Sequence, residues 1–141
     1  MSRLRPKGFG GARRSIAEAA RYWGPVVFYM GLIFWSSSRA RPDVLSATPD
    51  YLLHGTAYAG LAVLSVRALA KRLFSGLTRA YVLGGVAIAF FYGIADEWHQ
   101  FHVPGRDSSL GDVFADFVGA SLAGLFLAAV SARSRIAGEA R

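Results

Sequence analysis

Residues 80–95 read AYVLGGVAIAFFYGIA, which is 16 residues without a single charge, and Asp96 and Glu97 follow directly. Three more charge-free stretches occupy residues 22–38, 51–66 and 117–132. None of them carries the polar stripe that marks a surface helix of a soluble protein. A membrane-spanning helix needs about 20 mostly apolar residues. The pattern therefore predicts an all-α fold, a bundle of four transmembrane helices, with a soluble bundle of buried helices as the alternative because the strict stretches are slightly short.

The composition of the 141-residue chain supports this prediction. Hydrophobic residues make up 53% of the chain and charged residues only 18%, whereas a soluble domain carries roughly 25% charged residues. The high hydrophobic content excludes intrinsic disorder, and the lack of cysteine excludes a disulfide scaffold. The length is that of one domain.

The predicted spans cover about residues 22–38, 50–69, 79–98 and 111–132. They form one membrane domain over residues 22–132, preceded by a basic segment of residues 1–21 and followed by a tail of residues 133–141. Residues 13–21 are a candidate short interfacial helix. A cleavable signal peptide is the competing interpretation of the first span, but the long basic segment before it argues against this. Arginines and aromatic residues at the span ends suit a membrane interface.

The charges divide sharply between the two sides of this predicted bundle. The termini and the loop between the second and third spans hold 13 of the 16 basic residues, whereas the other side holds seven of the nine acidic residues and all three histidines. The positive-inside rule then places both termini in the cytoplasm. The net charge of +7 is thereby explained by orientation and by attraction to anionic lipid, so we expect membrane lipid and no nucleic acid as a partner.

A histidine lies inside the second predicted span. His54 is one helical turn below Asp50, and Tyr58 is one turn further on the same face. Because an ionisable group within a span is costly, it usually faces the bundle interior and serves a function. The alternative is a neutral histidine bonded to a neighbouring helix, and Asp50 by itself suits the dipole of a helix N-terminus.

Two adjacent carboxylates, Asp96 and Glu97, end the third span, and Gln100 shares the face of Asp96. Carboxylates at a helix C-terminus oppose the helix dipole, so a cation, a metal or a raised pKa must stabilise them. Arg106 in the following loop is the obvious protein partner. An ion-pair cluster that only locks the outer helix ends together is the structural alternative.

The fourth span begins with a candidate capping box formed by Ser109 and Asp112, and Asp116 lies one turn deeper on the face of Asp112. Small residues recur at helical spacing on the third and fourth spans, which predicts close packing between these two helices. These residues are Gly85, Ala89 and Gly93 on one span and Ala115, Gly119 and Ala123 on the other. Such packing would bring Asp116 towards the acids of the third span, with His54 approaching from the second.

Together these residues resemble the signatures of the VanZ-like family of small bacterial membrane proteins. The second signature of that family matches residues Asp96, Glu97, Gln100, Phe101, Pro104, Gly105, Arg106, Ser109 and Asp112 without a gap. Asp116 stands where the family usually has Asn, and Gly119 matches. The first signature matches Asp50, His54 and Tyr58, whereas Tyr51 replaces the usual Lys. These two departures make the outer site more acidic than the family pattern.

The resemblance covers about residues 22–130 and implies a multi-pass protein of the bacterial inner membrane. The family is named after a protein associated with resistance to the glycopeptide teicoplanin, and most members have no established activity. The resemblance therefore supplies a membrane architecture and a set of polar positions, and it supplies no reaction.

The favoured function is a polar binding site at the outer membrane face for a lipid head group, a cell-envelope precursor or a glycopeptide. Arg106 and the N-terminus of the fourth helix would hold an anion, and the acids would accept hydrogen bonds. The candidate ligand-binding residues are His54, Asp96, Glu97, Gln100, Arg106, Ser109, Asp112 and Asp116. The sequence indicates no cofactor.

Three alternatives remain open from the sequence. An enzyme acting on an envelope lipid would use His54 as general base or acid with Asp96 or Glu97 as its partner, although no serine-based motif supports a nucleophile. A metal site would draw on His54, Asp96, Glu97, His99 and Asp116, but no specific metal motif is present, so we expect no metal. A structural or accessory subunit, including a homo-oligomer, is the third.

Overall fold

The computed structural model describes residues 9–39 and 48–139, and within them the side chains of residues 14–39 and 48–138. Its described residues form four helices: α1 (Phe9–Ser37), α2 (Asp50–Ala70), α3 (Arg79–Gln100) and α4 (Leu110–Glu139). The all-α prediction is thereby confirmed. Residues 1–8, 40–47 and 140–141 lie outside the described residues, so the basic positions predicted at the extreme termini and the charges at Arg41 and Asp43 fall outside them.

The first helix is longer than the sequence predicted. Instead of a short helix over residues 13–21 and a separate span from residue 22, one helix runs from Phe9 to Ser37. Residues 12–20 contain four Ala, two Arg and one Glu, which are strong helix formers, so nothing separates the two segments. Pro25 lies inside this helix and removes one backbone donor without ending it. The last helix likewise continues past the predicted end at residue 132 to Glu139.

Three of the four helices are long and apolar enough to cross a membrane: α2, α3 and the Leu110–Gly138 part of α4. Large apolar side chains project outward from the bundle, among them Phe28, Leu32, Leu83, Phe91, Phe114, Leu122, Leu125 and Phe126. Soluble monomers rarely expose continuous apolar patches of such size. This surface is compatible with a multi-pass membrane protein.

Helices α2 and α3 each pack against all three other helices, and the α2–α4 contact is the most extensive, whereas the described part of α1 packs only against α2 and α3. The core around α2 is built from small residues and a few large ones. Tyr58, Leu61 and Ala62 of α2 are buried there with Ala89 of α3 and Ala120 of α4.

The predicted packing of the small residues between α3 and α4 is only partly right. Gly119 of α4 lies against the backbone of Gly55 in α2, so closely that a side chain at residue 119 would overlap the Gly55 carbonyl. Gly85 of α3 likewise faces Val66 of α2. Gly93 does join α3 to α4, where it lies under the Asp116 carboxylate, and Gly124 of α4 packs against Val82 and Val86 of α3. Periodicity shows which residues share a face, and only the helix arrangement decides which neighbour that face meets.

The bundle has two different ends. One end, here called the polar end, contains the C-termini of α1 and α3 and the N-termini of α2 and α4. At the opposite end the α2–α3 connection is tied to α4, because Leu77 donates its N–H to Ser131 Oγ at 3.0 Å and accepts a hydrogen bond from Arg135 at 2.8 Å. All the candidate site residues lie at the polar end.

Candidate functional site

The polar end holds a concentration of buried polar side chains that is unusual in so apolar a bundle. Each of them exposes less than a tenth of its surface, and they come from all four helices: Ser37, His54, Asp96, Glu97, Gln100, Asp112 and Asp116. Burial of charged groups is costly unless they are paired or hydrogen-bonded. The partners of each carboxylate therefore decide what this end of the bundle can do.

His54 and Asp116 form the central pair. His54 Nδ1 lies 3.1 Å from Asp116 Oδ1 and 3.8 Å from Glu97 Oε1. With Asp116 ionised, the shorter contact is a hydrogen bond that His54 Nδ1–H donates, because a carboxylate only accepts hydrogen bonds. Asp116 is fully buried, and its carboxylate fits against α3 only because residue 93 is glycine, since a Cβ there would lie 2.6 Å from Asp116 Oδ2. The structure thus brings together residues from α2, α3 and α4.

Asp96 belongs to a second network that reaches α1. Its Oδ2 atom accepts hydrogen bonds from Ser37 Oγ at 2.8 Å and from Gln100 Nε2 at 3.0 Å. Gln100 Nε2 also lies 3.2 Å from Glu97 Oε1, so one amide bridges the two neighbouring carboxylates. The other oxygen of Asp96, Oδ1, is buried and has no hydrogen-bond partner among the described residues.

Glu97 connects the end of α3 to the start of α4. Its Oε2 atom accepts the backbone N–H of Ser109 at 2.8 Å, and Ser109 Oγ in turn accepts the N–H of Gly111 at 3.0 Å. Ser109 therefore caps α4 as predicted. The reciprocal half of the predicted capping box differs, because the Ser109 N–H bonds to Glu97 of the neighbouring helix instead of to Asp112.

Arg106 does not form the ion pair with the helix α3 acids that the sequence suggested. It makes no salt bridge within 4.0 Å to any described carboxylate, and its buried Nε atom has no hydrogen-bond partner among the described residues. Three of the four oxygens of these two carboxylates already accept hydrogen bonds from Ser37, Gln100 and the Ser109 N–H. Arg106 is instead part of a cavity wall.

This cavity, here called the polar cavity, has a volume of about 220 Å³. Helices α1, α2 and α3 and the loop before α4 surround it. Its polar wall includes the charged or ionisable residues Asp50, His54, Tyr58, Asp96 and Arg106 and the hydroxyl-bearing residues Tyr29, Ser36 and Ser37, and its apolar wall includes Leu32, Ile33, Leu53 and Ala57. Three of these polar residues have a buried atom without a partner in the described part of the chain: Tyr58 OH, Asp96 Oδ1 and Arg106 Nε.

The metal ligands that the sequence brought under consideration do not form one group. His99 Nε2 lies 2.9 Å from Ser38 Oγ, and its ring stacks on Phe34, outside the cluster of acids. The described ligand atoms that do lie close together, within 4.8 Å of one another, belong to Asp50, His54 and Asp112. In this group the fixed Nδ1 contact of His54 with Asp116 would orient the imidazole, as outer carboxylates do in metal sites.

Sequence reasoning missed Ser37. It lies in the serine run of residues 36–38 at the end of the first helix, which the sequence showed only as small residues near a span end. A run of hydroxyls at the level of the predicted acids was the available signal. His102, in contrast, is exposed and contacts the Trp98 carbonyl, so it is not part of the cluster.

A scan against protein-family models gives no match for this chain, and searches of curated proteins and of solved structures find no related protein.

Proposed function

We propose that this chain is a VanZ-like membrane protein in which all four helices cross the bilayer and both termini lie in the cytoplasm. The gap-free motif from Asp96 to Asp112 supports the family assignment. The charge-free residues 22–38 support a fourth span within α1. The basic residues concentrated at the end opposite to the polar end support the orientation.

In this orientation the polar cavity opens at the outer face of the membrane, and we propose that it binds the polar head of an amphiphile. The observation that carries this proposal is the group of buried, unpartnered polar atoms that line one cavity in an otherwise apolar bundle. Buried polar groups are almost always hydrogen-bonded. A site that leaves three of them without a partner in the described part of the chain is suited to a ligand that supplies the missing donors and acceptors.

The candidate ligands are a membrane lipid, a cell-envelope precursor or a lipid-linked glycopeptide. Each combines a polar group, for the wall of Asp96 and Arg106, with an apolar chain, for the wall of Leu32 and Leu53. The VanZ-like resemblance makes a contribution to teicoplanin-type resistance or to envelope-lipid handling the leading physiological role.

Resistance titration tests this role. Cells carrying the wild type, Arg106→Ala or Glu97→Ala are exposed to a teicoplanin-type glycopeptide, and protein levels in the membrane are compared. Arg106→Ala changes the cavity wall, and Glu97→Ala removes the acceptor that holds the Ser109 N–H at the end of the loop carrying Arg106. We expect both variants to lose resistance at normal protein levels. Asp107→Asn is the matched control, because this exposed carboxylate lies next to Arg106 and outside the polar cavity. Unchanged resistance in both variants would count against a binding role.

One specific contact favours a second function. The hydrogen bond between His54 Nδ1 and Asp116 Oδ1 orients an imidazole beside the cavity, and an imidazole–carboxylate pair is the usual arrangement for general acid–base catalysis. This partner differs from Asp96 and Glu97, which the sequence suggested. Mass spectrometry of lipids from cells with the wild type and with His54→Gln decides between the two functions, since only an enzyme produces an altered lipid species.

The accessory-subunit alternative makes a distinct prediction about stability. If the polar end only locks the helix ends together, His54→Gln and Glu97→Gln should reduce thermal stability and glycopeptide resistance to the same degree. Loss of phenotype with unchanged thermal stability supports the binding or catalytic site.

A further inference from the structure

We infer that the head group bound in the polar cavity is zwitterionic, with a primary ammonium group on Asp96 and a phosphate or carboxylate on Arg106. This inference rests on the proposed function and specifies the chemical class of its ligand. It follows from which atoms of the cavity wall lack a partner, and from the direction in which each of them can form a hydrogen bond.

Asp96 has one carboxylate oxygen that lacks a hydrogen-bond donor. Its Oδ2 atom is occupied by Ser37 and Gln100, whereas Oδ1 has no partner in the described residues, and only 4% of the residue is exposed. An ionised carboxylate accepts hydrogen bonds and cannot donate them. The hydroxyl of Tyr58, a residue that is 1% exposed, lies beside Asp96 and is one O–H donor that the protein itself directs towards this carboxylate. A ligand group at this position is suited to the site when it carries N–H or O–H, and a cationic N–H forms the stronger bond.

Arg106 has one N–H group that lacks a hydrogen-bond acceptor. A guanidinium group has five N–H donors and no acceptor, and the buried Nε–H of Arg106 is without a partner among the described residues. The described carboxylates that were expected to pair with it are bonded elsewhere. An anionic oxygen of the ligand would satisfy this donor with a charge-assisted hydrogen bond.

Asp96 and Arg106 lie in the wall of one cavity, so a single ligand can supply both the missing donor and the missing acceptor. A purely anionic head group would satisfy Arg106 and place its charge beside Asp96, which lines the same wall. A purely cationic head group would leave the Arg106 donor without a partner. A head group that carries both charges satisfies each residue and adds no net charge to the site.

The size of the cavity agrees with a small head group. A volume of about 220 Å³ is smaller than the roughly 300–1,000 Å³ of pockets for drug-sized ligands, which suits a phosphoethanolamine-sized group and not a whole glycopeptide. The apolar wall of Leu32, Ile33 and Leu53 continues from the polar wall and suits the first carbons of an acyl chain.

Native mass spectrometry of the full-length protein in detergent tests the inference. The protein is titrated with phosphatidylethanolamine, phosphatidylcholine and phosphatidylglycerol of identical acyl chains. We expect phosphatidylethanolamine to bind at least tenfold more tightly than phosphatidylglycerol. Phosphatidylcholine should also be weaker, because its quaternary ammonium has no N–H for Asp96 Oδ1. A competition arm with water-soluble phosphoethanolamine separates a lipid ligand, which resists displacement, from a free phosphorylated amine.

Two variants assign the two halves of the site. Asp96→Asn keeps an oxygen for Ser37 and Gln100 but loses the negative charge, so we expect it to abolish the preference for phosphatidylethanolamine over phosphatidylglycerol. Arg106→Gln should weaken both phospholipids by about tenfold, the equivalent of about 1.4 kcal/mol. Asp107→Asn serves as the control and should bind like the wild type.

The outcomes separate the inference from the proposed function. Equal binding of phosphatidylglycerol and phosphatidylethanolamine to the wild type would overturn the zwitterionic inference and leave an amphiphile site in place. Binding that is unaffected by Arg106→Gln would overturn the assignment of the anionic half. If the protein retains none of the three lipids, the proposed function itself fails. The wild-type selectivity decides the inference even if Asp96→Asn does not accumulate.

Discussion

His54 of α2 and Asp116 of α4 lie 62 positions apart in the sequence, and the Nδ1 and Oδ1 atoms of these two residues lie 3.1 Å apart in the structure. Both are almost completely buried, with 7% and 0% exposure. A polar contact of this kind specifies how α2 and α4 are aligned, because a shift of either helix would leave a buried polar group without a partner.

The His54–Asp116 pair should behave as one energetic unit. We expect His54→Ala and Asp116→Ala each to destabilise the protein, and the double variant to be less destabilised than the sum of the two. The reason is that each single variant leaves the other buried group unpaired. The expected coupling is about 0.5–3 kcal/mol, measured by unfolding in detergent. Asp107→Ala combined with His54→Ala is the control, and additive effects for the buried pair would contradict the prediction.

Gly119 should tolerate no side chain. Gly119→Ala would place a methyl group on the Gly55 carbonyl and force α2 and α4 apart, which we expect to cost about 1–3 kcal/mol or more. Thermal unfolding in detergent measures this loss. Gly31→Ala is the matched control, because a Cβ at this helical position meets no atom within 4 Å. A Gly119→Ala protein as stable as the control would show that the two helices do not approach so closely.

Glu97 should hold the loop before α4 in place. Glu97→Ala removes the acceptor of the Ser109 N–H, and a hydrogen bond to a charged group contributes about 1.5–3 kcal/mol. We therefore expect the amide of Ser109 to exchange its hydrogen at least about tenfold faster in Glu97→Ala. Glu97→Gln retains an acceptor oxygen and should show a smaller effect. Hydrogen-exchange mass spectrometry measures this rate. Equal exchange of the Ser109 amide in the wild type, Glu97→Ala and Glu97→Gln would contradict the prediction.

The proposed orientation can be tested by cysteine labelling, since the chain has no cysteine of its own. Single cysteines replace Ser108, next to Arg106, and Ser75, in the α2–α3 connection, both of which are exposed. A membrane-impermeant maleimide should label the residue-108 cysteine in intact cells and the residue-75 cysteine only after permeabilisation. Ala137→Cys near the end of α4 should behave like the residue-75 variant. The reverse labelling pattern would show the opposite orientation. Labelling of both loops from outside would show that α3, which lies between them, does not cross the membrane.

Much of the helix layout could be predicted from the sequence, because it depends on local composition. Charge-free runs and flanking polar residues predicted α2 from residue 50 and α3 from residue 79, which are the positions where the structure begins them. The prediction failed at the start of α1, where Ala-rich residues 12–20 extend the helix outside the apolar stretch. Hydropathy marks the apolar part of a helix, whereas helix propensity and packing decide where the helix begins.

At the polar end, the sequence predicted a contact within one helix but not a contact between separate segments. Spacing on a helix placed Asp96 beside Gln100, which is a local relationship and is present in the structure. The partner of Glu97 across the chain turned out to be a backbone N–H rather than Arg106. A backbone donor is common to nearly every residue, so no pattern of side chains could have indicated it.

The sequence by itself determined the helical class, the apolar surface and the collection of acids and histidines near one end of the chain's helices, because these properties follow from residue type and from 3.6-residue periodicity. Only the tertiary structure decided that Gly119 meets Gly55, that His54 bonds Asp116, and that Asp96 and Arg106 share one cavity without contacting each other. These contacts depend on the relative rotation and depth of separate helices. That arrangement is set by close packing of many small residues at once, and no single stretch of sequence contains it.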